Sequence, residues 1–328
     1  MIYPGEKEFI FSIFDDTDVA TLENIRPIYE YLTELGILTT KSVWPLKWDG
    51  EYSDCKGSHT LKDKAYADYV KELANRGFEI AFHGASMESS ERERTRESLE
   101  LFKETVGYYP KTYACHANNL DNLYWGANRF TFPLFRKIYA IFERKHLRSQ
   151  GEKETSPYFW GDLCAKYIRF VRSFTFPVIN LARVGATLPY RVRQFKYCRY
   201  FFFTCEANNV EEFNALLSPR KQGALERERG ISIITTHFGK GFVKQGKLHP
   251  KTKKLLKHLS SKNGWFVPVN VLLEYLLTQN SRFTMRPLEL FTLESKWLAY
   301  TIKRKIMSKS YEKTELLYLK DDEASSSH

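Results

Sequence analysis

At four places in the sequence, a side chain that could bind a metal or move a proton comes directly after an apolar run. They are the pair Asp15-Asp16 and the histidines His83, His116 and His237. Mixed carboxylate and imidazole donors suit zinc and similar divalent ions. Such an ion activates water and polarises a carbonyl group, while a second carboxylate and a histidine can act as general base and general acid. These residue types indicate metal-assisted hydrolysis.

The apolar runs before these residues have the length and β-branched or aromatic composition of buried strands. Strands are predicted at 8–14, 78–82, 112–115 and 231–236, with others at 37–43, 201–205 and 265–269. Segments with helical spacing of apolar residues lie between them, which favours a parallel sheet, as a barrel or a doubly wound fold. In an α/β barrel the carboxyl ends of the strands converge on one face. We therefore expect the four polar positions to meet there.

Several segments resemble the polysaccharide deacetylase superfamily, carbohydrate esterase family four, over residues 9–276. The similar elements are FSIFDDTD, FEIAFHGAS, ISIITTHFGKGF and the closing strand GWFVPV. The resemblance implies an α/β fold, a distorted (β/α) TIM-like barrel. It also implies that Asp15 is the catalytic base, that Asp16 and His83 bind the metal, and that His237 is the general acid.

The sequence departs from this family at two points. Met87 stands where the family has a second histidine, and the segment KTYACHANN lacks the arginine that orients the base. His116 lies in that segment and could supply the third ligand. The predicted metal triad is therefore Asp16, His83 and His116, with zinc as the expected divalent ion. A metal-free relative is the alternative.

Further residues near the strand ends could contact a sugar substrate. Amides could hydrogen-bond sugar hydroxyls, indoles could stack on a sugar ring, and a lysine between glycines could approach the substrate. These residues are Asn118, Asn119, Trp125, Trp160 and Lys240. Asp162 could orient a substrate or form an ion pair with Lys166.

The charge of the 328-residue chain is concentrated in two segments. The net charge is +11, yet residues 136–199 hold fourteen Lys or Arg against four acids, and residues 240–257 hold seven lysines and no acid. The rest of the chain is mildly acidic. This pattern disfavours a general nucleic-acid binder and fits a basic rim for a phosphate- or lipid-linked sugar or an anionic membrane. No protein partner is predicted.

Composition also excludes several classes of protein. The five cysteines form no CxxC pair, which argues against a disulfide framework, a zinc ribbon and a thioredoxin-type site. No apolar run approaches the ~18 residues of a membrane span, and no secretory signal is recognised, so we expect a cytoplasmic location, with peripheral contact at the inner face of the membrane as an option. The predicted organisation is a barrel over 1–280, with an insertion at 128–205, and an extension with a polar tail over 281–328.

The leading functional hypothesis is a metal-dependent hydrolase that cleaves the amide C–N bond of an N-acetylated sugar in surface polysaccharide or glycoconjugate biosynthesis. One alternative is a haloacid-dehalogenase-type phosphatase that uses Asp16 and Asp18 of the DTD segment. It would need a later acid pair at a strand end, and the sequence offers Asp321-Asp322 in the tail. The other alternative is a catalytically dead barrel that binds an anionic ligand.

Overall fold

Seven parallel strands follow one another round a closed barrel in the computed structural model of the chain, which describes residues 3–48, 50, 55–117, 119–142 and 149–325. The strands are β1 (Phe9–Asp15), β2 (Thr40–Val43), β3 (Glu79–Phe82), β4 (Thr112–Tyr113), β5 (Phe170–Phe176), β6 (Tyr200–Glu206) and β7 (Ile231–Thr236). Pairing of β7 with β1 from Ile10 to Asp15 closes the ring. Nearly every strand residue is buried, which explains the continuous apolar runs. The predicted (β/α) barrel is confirmed.

The barrel is distorted between β1 and β2. Its first half, Phe9–Phe11, pairs with β10 (Gly264–Phe266), and only Phe14 and Asp15 pair with β2. The strand β10 therefore occupies the amino-terminal part of the gap between β1 and β2. A small antiparallel hairpin, β8 (Val243–Lys244) and β9 (Lys247–Leu248), lies outside the barrel.

Helices follow most strands and cover the barrel. They are α1 (Leu22–Glu34), α2 (Lys64–Asn75), α3 (Arg92–Val106), α4 (Pro133–Phe142), α5 (Gly161–Tyr167), α6 (Val210–Leu216), α7 (Pro219–Arg227), α8 (Pro250–Ser260), α9 (Val269–Gln279) and α10 (Pro287–Ser325). The cap of α1 shows how the sequence sets these boundaries. Thr21 accepts a hydrogen bond from the Asn24 amide, and Asn24 accepts one from the Thr21 amide, so both ends of the capping pair are satisfied. Among the described residues no helix is long and apolar enough to cross a bilayer.

The segment predicted as an insertion, 128–205, supplies two barrel strands, β5 and β6. The sequence indicated the second of these, but β5 was not predicted. Its sequence, FVRSFTF, has Arg172 and Ser173 in the middle of an otherwise apolar run, and both are buried. The polar residues hid the strand because each has a buried partner: Arg172 contacts Asp16, and Ser173 contacts Tyr190 and the Phe202 carbonyl.

The helix α10 packs back onto the barrel and α4. Trp297 lies against Phe130 and Phe174, with ring centroids 5.7 and 5.3 Å away. Glu294 is buried and accepts hydrogen bonds from the amide and hydroxyl of Thr131. This part of the C-terminal extension is therefore joined to the barrel through both apolar and polar contacts.

Candidate active site

A pocket of about 280 Å³ opens at the carboxyl ends of the barrel strands. Its wall includes Asp16, Asp18, His83, His116, Arg172 and His237. The face of the barrel is the one on which α/β barrels build their sites. The structure thus brings Asp16 and the three predicted histidines together.

Asp18 lies at the centre of the histidines. Its Oδ1 is 3.2 Å from His83 Nε2, and its Oδ2 is 3.3 Å from His237 Nε2 and 3.8 Å from His116 Nε2. Burial alone would raise the pKa of Asp18, but the contacts with His237 and His83 outweigh it and hold that pKa well below its usual range. Asp18 is therefore a carboxylate at neutral pH. It was not among the predicted residues of the deacetylase site, although it entered the phosphatase alternative.

Asp16 is held by an arginine from β5. Arg172 Nη1 donates to Asp16 Oδ1 at 2.8 Å, and both side chains are buried. Burial favours the neutral form, but the charge of Arg172 outweighs it and lowers the pKa of Asp16. Arg172 also lies over the Phe14 ring and donates to Thr235 at 3.3 Å. The sequence signal that could have identified it is a charged residue inside a buried strand.

Asp15 faces away from the pocket. Its Oδ1 accepts from the Phe238 amide at 2.8 Å, and its Oδ2 lies 3.0 Å from both the Tyr29 hydroxyl and Lys41 Nζ. Neither Asp15 nor Lys41 is exposed to solvent. Burial would lower the pKa of Lys41, but the charge of Asp15 raises it. Because side chains alternate along an extended chain, neighbouring acids after β1 point to opposite sides. Asp15 therefore joins β1, β2 and α1 from behind the site.

The orientation of His116 is fixed from its far side. His116 Nδ1 lies 3.2 Å from Asn119 Oδ1, so a proton on Nδ1 is held there and Nε2 is left as the metal-binding nitrogen. Asn119, predicted to bind substrate, is buried and donates its amide to the Ser86 carbonyl. Asn118 lies outside the described residues. The sulfur of Cys55 approaches His116 Nε2 at 4.0 Å.

His237 and Lys240 both reach Asp18 from the loop after β7. His237 Nδ1 is 2.8 Å from the Asn208 carbonyl, so Nδ1 carries a proton and Nε2 faces the acids. Burial would lower the pKa of His237, but Asp18 and Asp16 outweigh it and raise that pKa. Lys240 Nζ is 3.5 Å from Asp18 Oδ2.

The other predicted sugar contacts divide between the pocket and the rest of the fold. Trp125 lines the pocket. Trp160 is fully buried in the core, where its indole N–H donates to the Asp121 carbonyl. Asp162 forms a bidentate pair with Arg92, at 2.6 and 2.8 Å, instead of a pair with Lys166.

Arg129 lines the same pocket without a carboxylate partner among the described residues. It is buried, and its guanidinium carbon lies 3.8 Å from the Trp125 ring centroid and 4.5 Å from that of Trp297. A desolvated cation–π contact contributes about 2 kcal/mol. An uncompensated buried charge costs several kcal/mol, and arginine does not deprotonate to avoid this cost. Stacking therefore offsets only part of the cost of burying Arg129.

Comparison with known proteins supports this architecture. No protein-family model matches the sequence, and no curated protein sequence matches it. A structure from Mycobacterium smegmatis that is named as a polysaccharide deacetylase superposes with a TM-score of 0.50 at 12% identity, covering 87% of this chain and 96% of that one. The chain has the fold of the polysaccharide deacetylases. Two other similar structures are an allantoinase (TM-score 0.48, 11% identity, 86% and 94% covered) and a peptidoglycan N-acetylglucosamine deacetylase (TM-score 0.40, 14% identity, 83% and 90% covered).

Within this polysaccharide deacetylase fold, the two departures seen in the sequence have structural counterparts. Met87 is buried in a small cluster with Trp44 and Cys55. Cys55, His116 and Asp18 each offer one donor atom, and these atoms lie within 4.8 Å of one another. A thiol thus stands beside the position of the missing histidine. Arg172, on β5, contacts Asp16, whereas the arginine of the family pattern was expected to orient the predicted base, Asp15.

Proposed function

We propose that this chain is a hydrolase of the deacetylase type that removes an acetyl group from an N-acetylated sugar. The observation that carries the proposal is the convergence of Asp16, Asp18 and three histidines on one pocket at the carboxyl ends of the barrel strands. The polysaccharide deacetylase fold supports it. The phosphatase alternative is disfavoured because the later acids that it needs, Asp321-Asp322, belong to α10 and not to a strand end.

A divalent cation fits the donors that the pocket offers. Asp18 Oδ1 is buried and makes no hydrogen bond among the described residues, so it keeps lone pairs for an ion. We propose Asp18, His116 and Cys55 as the ligands, because carboxylate, imidazole and thiolate together suit zinc. His116 is common to this set and to the triad predicted from the sequence. A zinc ion there would polarise the acetyl carbonyl and lower the pKa of water.

Asp16 is our candidate for the general base, in place of Asp15. The Arg172 guanidinium occupies one of its oxygens and keeps the carboxylate charged, while Asp16 remains part of the pocket wall. Asp15 has the wrong surroundings for this role, since both of its oxygens contact buried protein groups. In the proposed reaction Asp16 takes a proton from the attacking water.

His237 is our candidate for the general acid. The Asn208 carbonyl holds its Nδ1 proton, and its Nε2 faces the pocket beside Asp18. The raised pKa of His237 favours the imidazolium form, which can give a proton to the departing amine. The acid and base roles thus fall on residues after different strands, β7 and β1.

The setting of this activity is also a proposal. A sugar in surface polysaccharide or glycoconjugate biosynthesis, carried on a phosphate or a lipid, would suit the basic segments, as would a cytoplasmic enzyme at the inner face of the membrane. Lys240 contacts Asp18 and Arg172 contacts Asp16, so part of the basic charge lies at the pocket itself.

Acetate release from a panel of N-acetylated sugars tests the proposal directly. The purified protein, loaded with zinc, is expected to release acetate, and dialysis against a chelator is expected to stop the reaction until zinc is restored. The absence of acetate release from every sugar in the panel, by protein shown to contain zinc, would contradict the proposal.

A further inference from the structure

The pocket contains a buried arginine whose charge nothing else in the described structure balances. Arg129 ends a short 3₁₀ segment, Gly126–Arg129, and its guanidinium lies over both Trp125 and Trp297. The side chain is 94% buried, with 6% of its surface exposed, and its Nε makes no hydrogen bond. Such a group is rare in a folded protein, because a buried charge normally has a partner.

The other cations of the pocket are already paired. Arg172 contacts Asp16, Arg304 contacts Glu206, and Lys240 contacts Asp18. Arg129 is the cation of this pocket that contacts no acid among the described residues.

The groups whose charge Arg129 feels cannot neutralise it. They are first Tyr139 and then Cys115 and Tyr190, whose phenol and thiol groups are neutral at pH 7 at their ordinary pKa values of about 10 and 8.5. Burial raises the pKa of the Cys115 thiol to about 12 and also raises the pKa of Tyr190. Arg172 also faces it and carries the same sign of charge. Among the described residues, therefore, no anion balances the charge of Arg129.

Stacking determines what kind of anion fits. The two indole rings lie over the guanidinium group, so the N–H groups along its edge remain for hydrogen bonds. An arginine used in this way forms two parallel hydrogen bonds to a group with two coplanar oxygens, such as a carboxylate or a phosphate. Thr175 and Thr301 line the same pocket.

We propose that Arg129 binds an oxyanion carried by the substrate, so that the acetylated sugar accepted by this pocket is an anionic one. The inference rests on the proposed function, because Arg129 and the Asp18 cluster line one pocket of about 280 Å³. One sugar unit that bears both an acetamide and an oxyanion would contact both ends. Trp125, predicted to stack on the sugar, is then also the residue that orients its anion site.

Substrate preference provides the first test. Three N-acetylated hexosamines are compared: a neutral one, one with a carboxylate and one with a phosphate. The wild-type protein should have the higher kcat/KM for a charged sugar, and the preferred charged sugar identifies the oxyanion. In the Arg129→Met variant the ratio of charged to neutral kcat/KM should fall by about 10- to 100-fold, as expected for loss of a charged, bidentate contact.

A binding measurement without turnover provides the second test. Inorganic phosphate should raise the Tm of the wild-type protein, and this shift should disappear in Arg129→Met. Without phosphate, Arg129→Met should be at least as stable as wild type, because it removes an unpaired buried charge. A merely structural arginine would give a lower Tm instead.

Arg169→Met is the matched control. Arg169 also lies over two aromatic rings, those of Phe170 and Tyr200, but it pairs with Glu274. This variant should keep both the phosphate shift and the preference for charged sugars.

Two results would overturn the inference: equal kcat/KM for neutral and charged sugars in the wild type, or a phosphate shift that survives in Arg129→Met. Both leave the deacetylase proposal standing. Conversely, if no sugar releases acetate, the proposed deacetylase function is contradicted. The effect of phosphate on Tm still tests whether Arg129 binds an oxyanion.

Discussion

The barrel holds buried carboxylates at both ends, one in a Glu79 cluster and two in an Asp18 cluster, and the two clusters differ in how the carboxylate oxygens are satisfied. At the amino-terminal end Glu79, at the start of β3, accepts hydrogen bonds from the hydroxyls of Thr40 and Thr112 and from the Asn270 amide. At the carboxyl end Asp16 and Asp18 face histidines, and Asp18 Oδ1 has no hydrogen bond among the described residues.

This contrast assigns a stabilising role to the Glu79 cluster and a chemical role to the Asp18 cluster of the same barrel. The Glu79 cluster joins the starts of β2, β3 and β4 to α9 through donors that belong to the chain, and both carboxylate oxygens of Glu79 accept hydrogen bonds. The Asp18 cluster, in contrast, includes a buried carboxylate oxygen without a hydrogen bond among the described residues. In α/β barrels the amino-terminal face serves stability and the opposite face carries the site, and the two clusters follow that division.

The largest expected effect comes from the acid proposed as base. Asp16→Asn keeps the size of the side chain but removes its basicity, so kcat for acetate release should fall by about 10³-fold. Thermal unfolding of the same preparation checks that the variant is folded. A folded Asp16→Asn variant with normal kcat would reassign the base.

Next in size is the loss of the proposed thiolate ligand. Cys55→Ala should lower zinc affinity by at least about 100-fold, measured by competition with a chromogenic chelator. In the cobalt-substituted wild type, a thiolate-to-cobalt charge-transfer band should appear in the near ultraviolet and be absent from Cys55→Ala.

Cys205→Ala is the control for that measurement, because Cys205 is buried beside Ser232 and does not belong to the group of Asp18, Cys55 and His116. It should retain the band. If Cys55→Ala also retains the band and the affinity, the set predicted from the sequence, with His83 as ligand, would be favoured.

A smaller effect is expected from the residue that positions the base. Arg172→Ala removes the contact to Asp16 Oδ1 and should lower kcat by about 10- to 100-fold. Guanidinium ion at low concentration should restore part of the activity, since it can occupy the vacated space. Failure of rescue in a folded variant would indicate that Arg172 only supports the barrel.

The smallest expected effect is the change in stability on substitution of Glu79, at the amino-terminal end of the barrel. Burial raises the pKa of Glu79, although the hydrogen bonds to it partly oppose this. The folded state therefore holds the Glu79 proton more tightly than the unfolded state does, and this contribution to stability is lost as pH rises above the unfolded value of 4.5.

Relative to Glu79→Gln, the wild type should then lose stability with rising pH, by no more than about 1.4 kcal/mol per pH unit. Urea unfolding at several pH values measures the difference. The kcat of the folded variant should not change; a large loss of kcat would break the separation between the two clusters.

The sequence predicted a parallel sheet with polar strand ends because buried parallel strands leave long apolar runs, and the family resemblance predicted the barrel in which the histidines meet. It could not decide between Asp15 and Asp16. They are adjacent, with Asp15 as the last residue of β1 and Asp16 directly after it, and a shift of one residue in the register would exchange the sides that they face.

The sequence also missed partners supplied from distant positions. Cys55 lies in a loop with no periodicity, and only the folded chain places its sulfur near His116 and Met87. Arg172 was hidden because its charge interrupts the apolar pattern of β5. In both cases this chain lacks a residue of the family pattern, and another element of the fold supplies a residue of suitable chemistry near that position.

The wall that α10 provides has a consequence for how the protein is made. Trp297, Thr301 and Arg304 line the pocket, yet all follow the last barrel strand in the chain. Translation runs from the amino terminus, so every barrel strand is synthesised before this wall exists. Without α10 docked on the barrel, the pocket would lack the wall formed by these three residues. The pocket is therefore complete only once α10 has docked on the barrel.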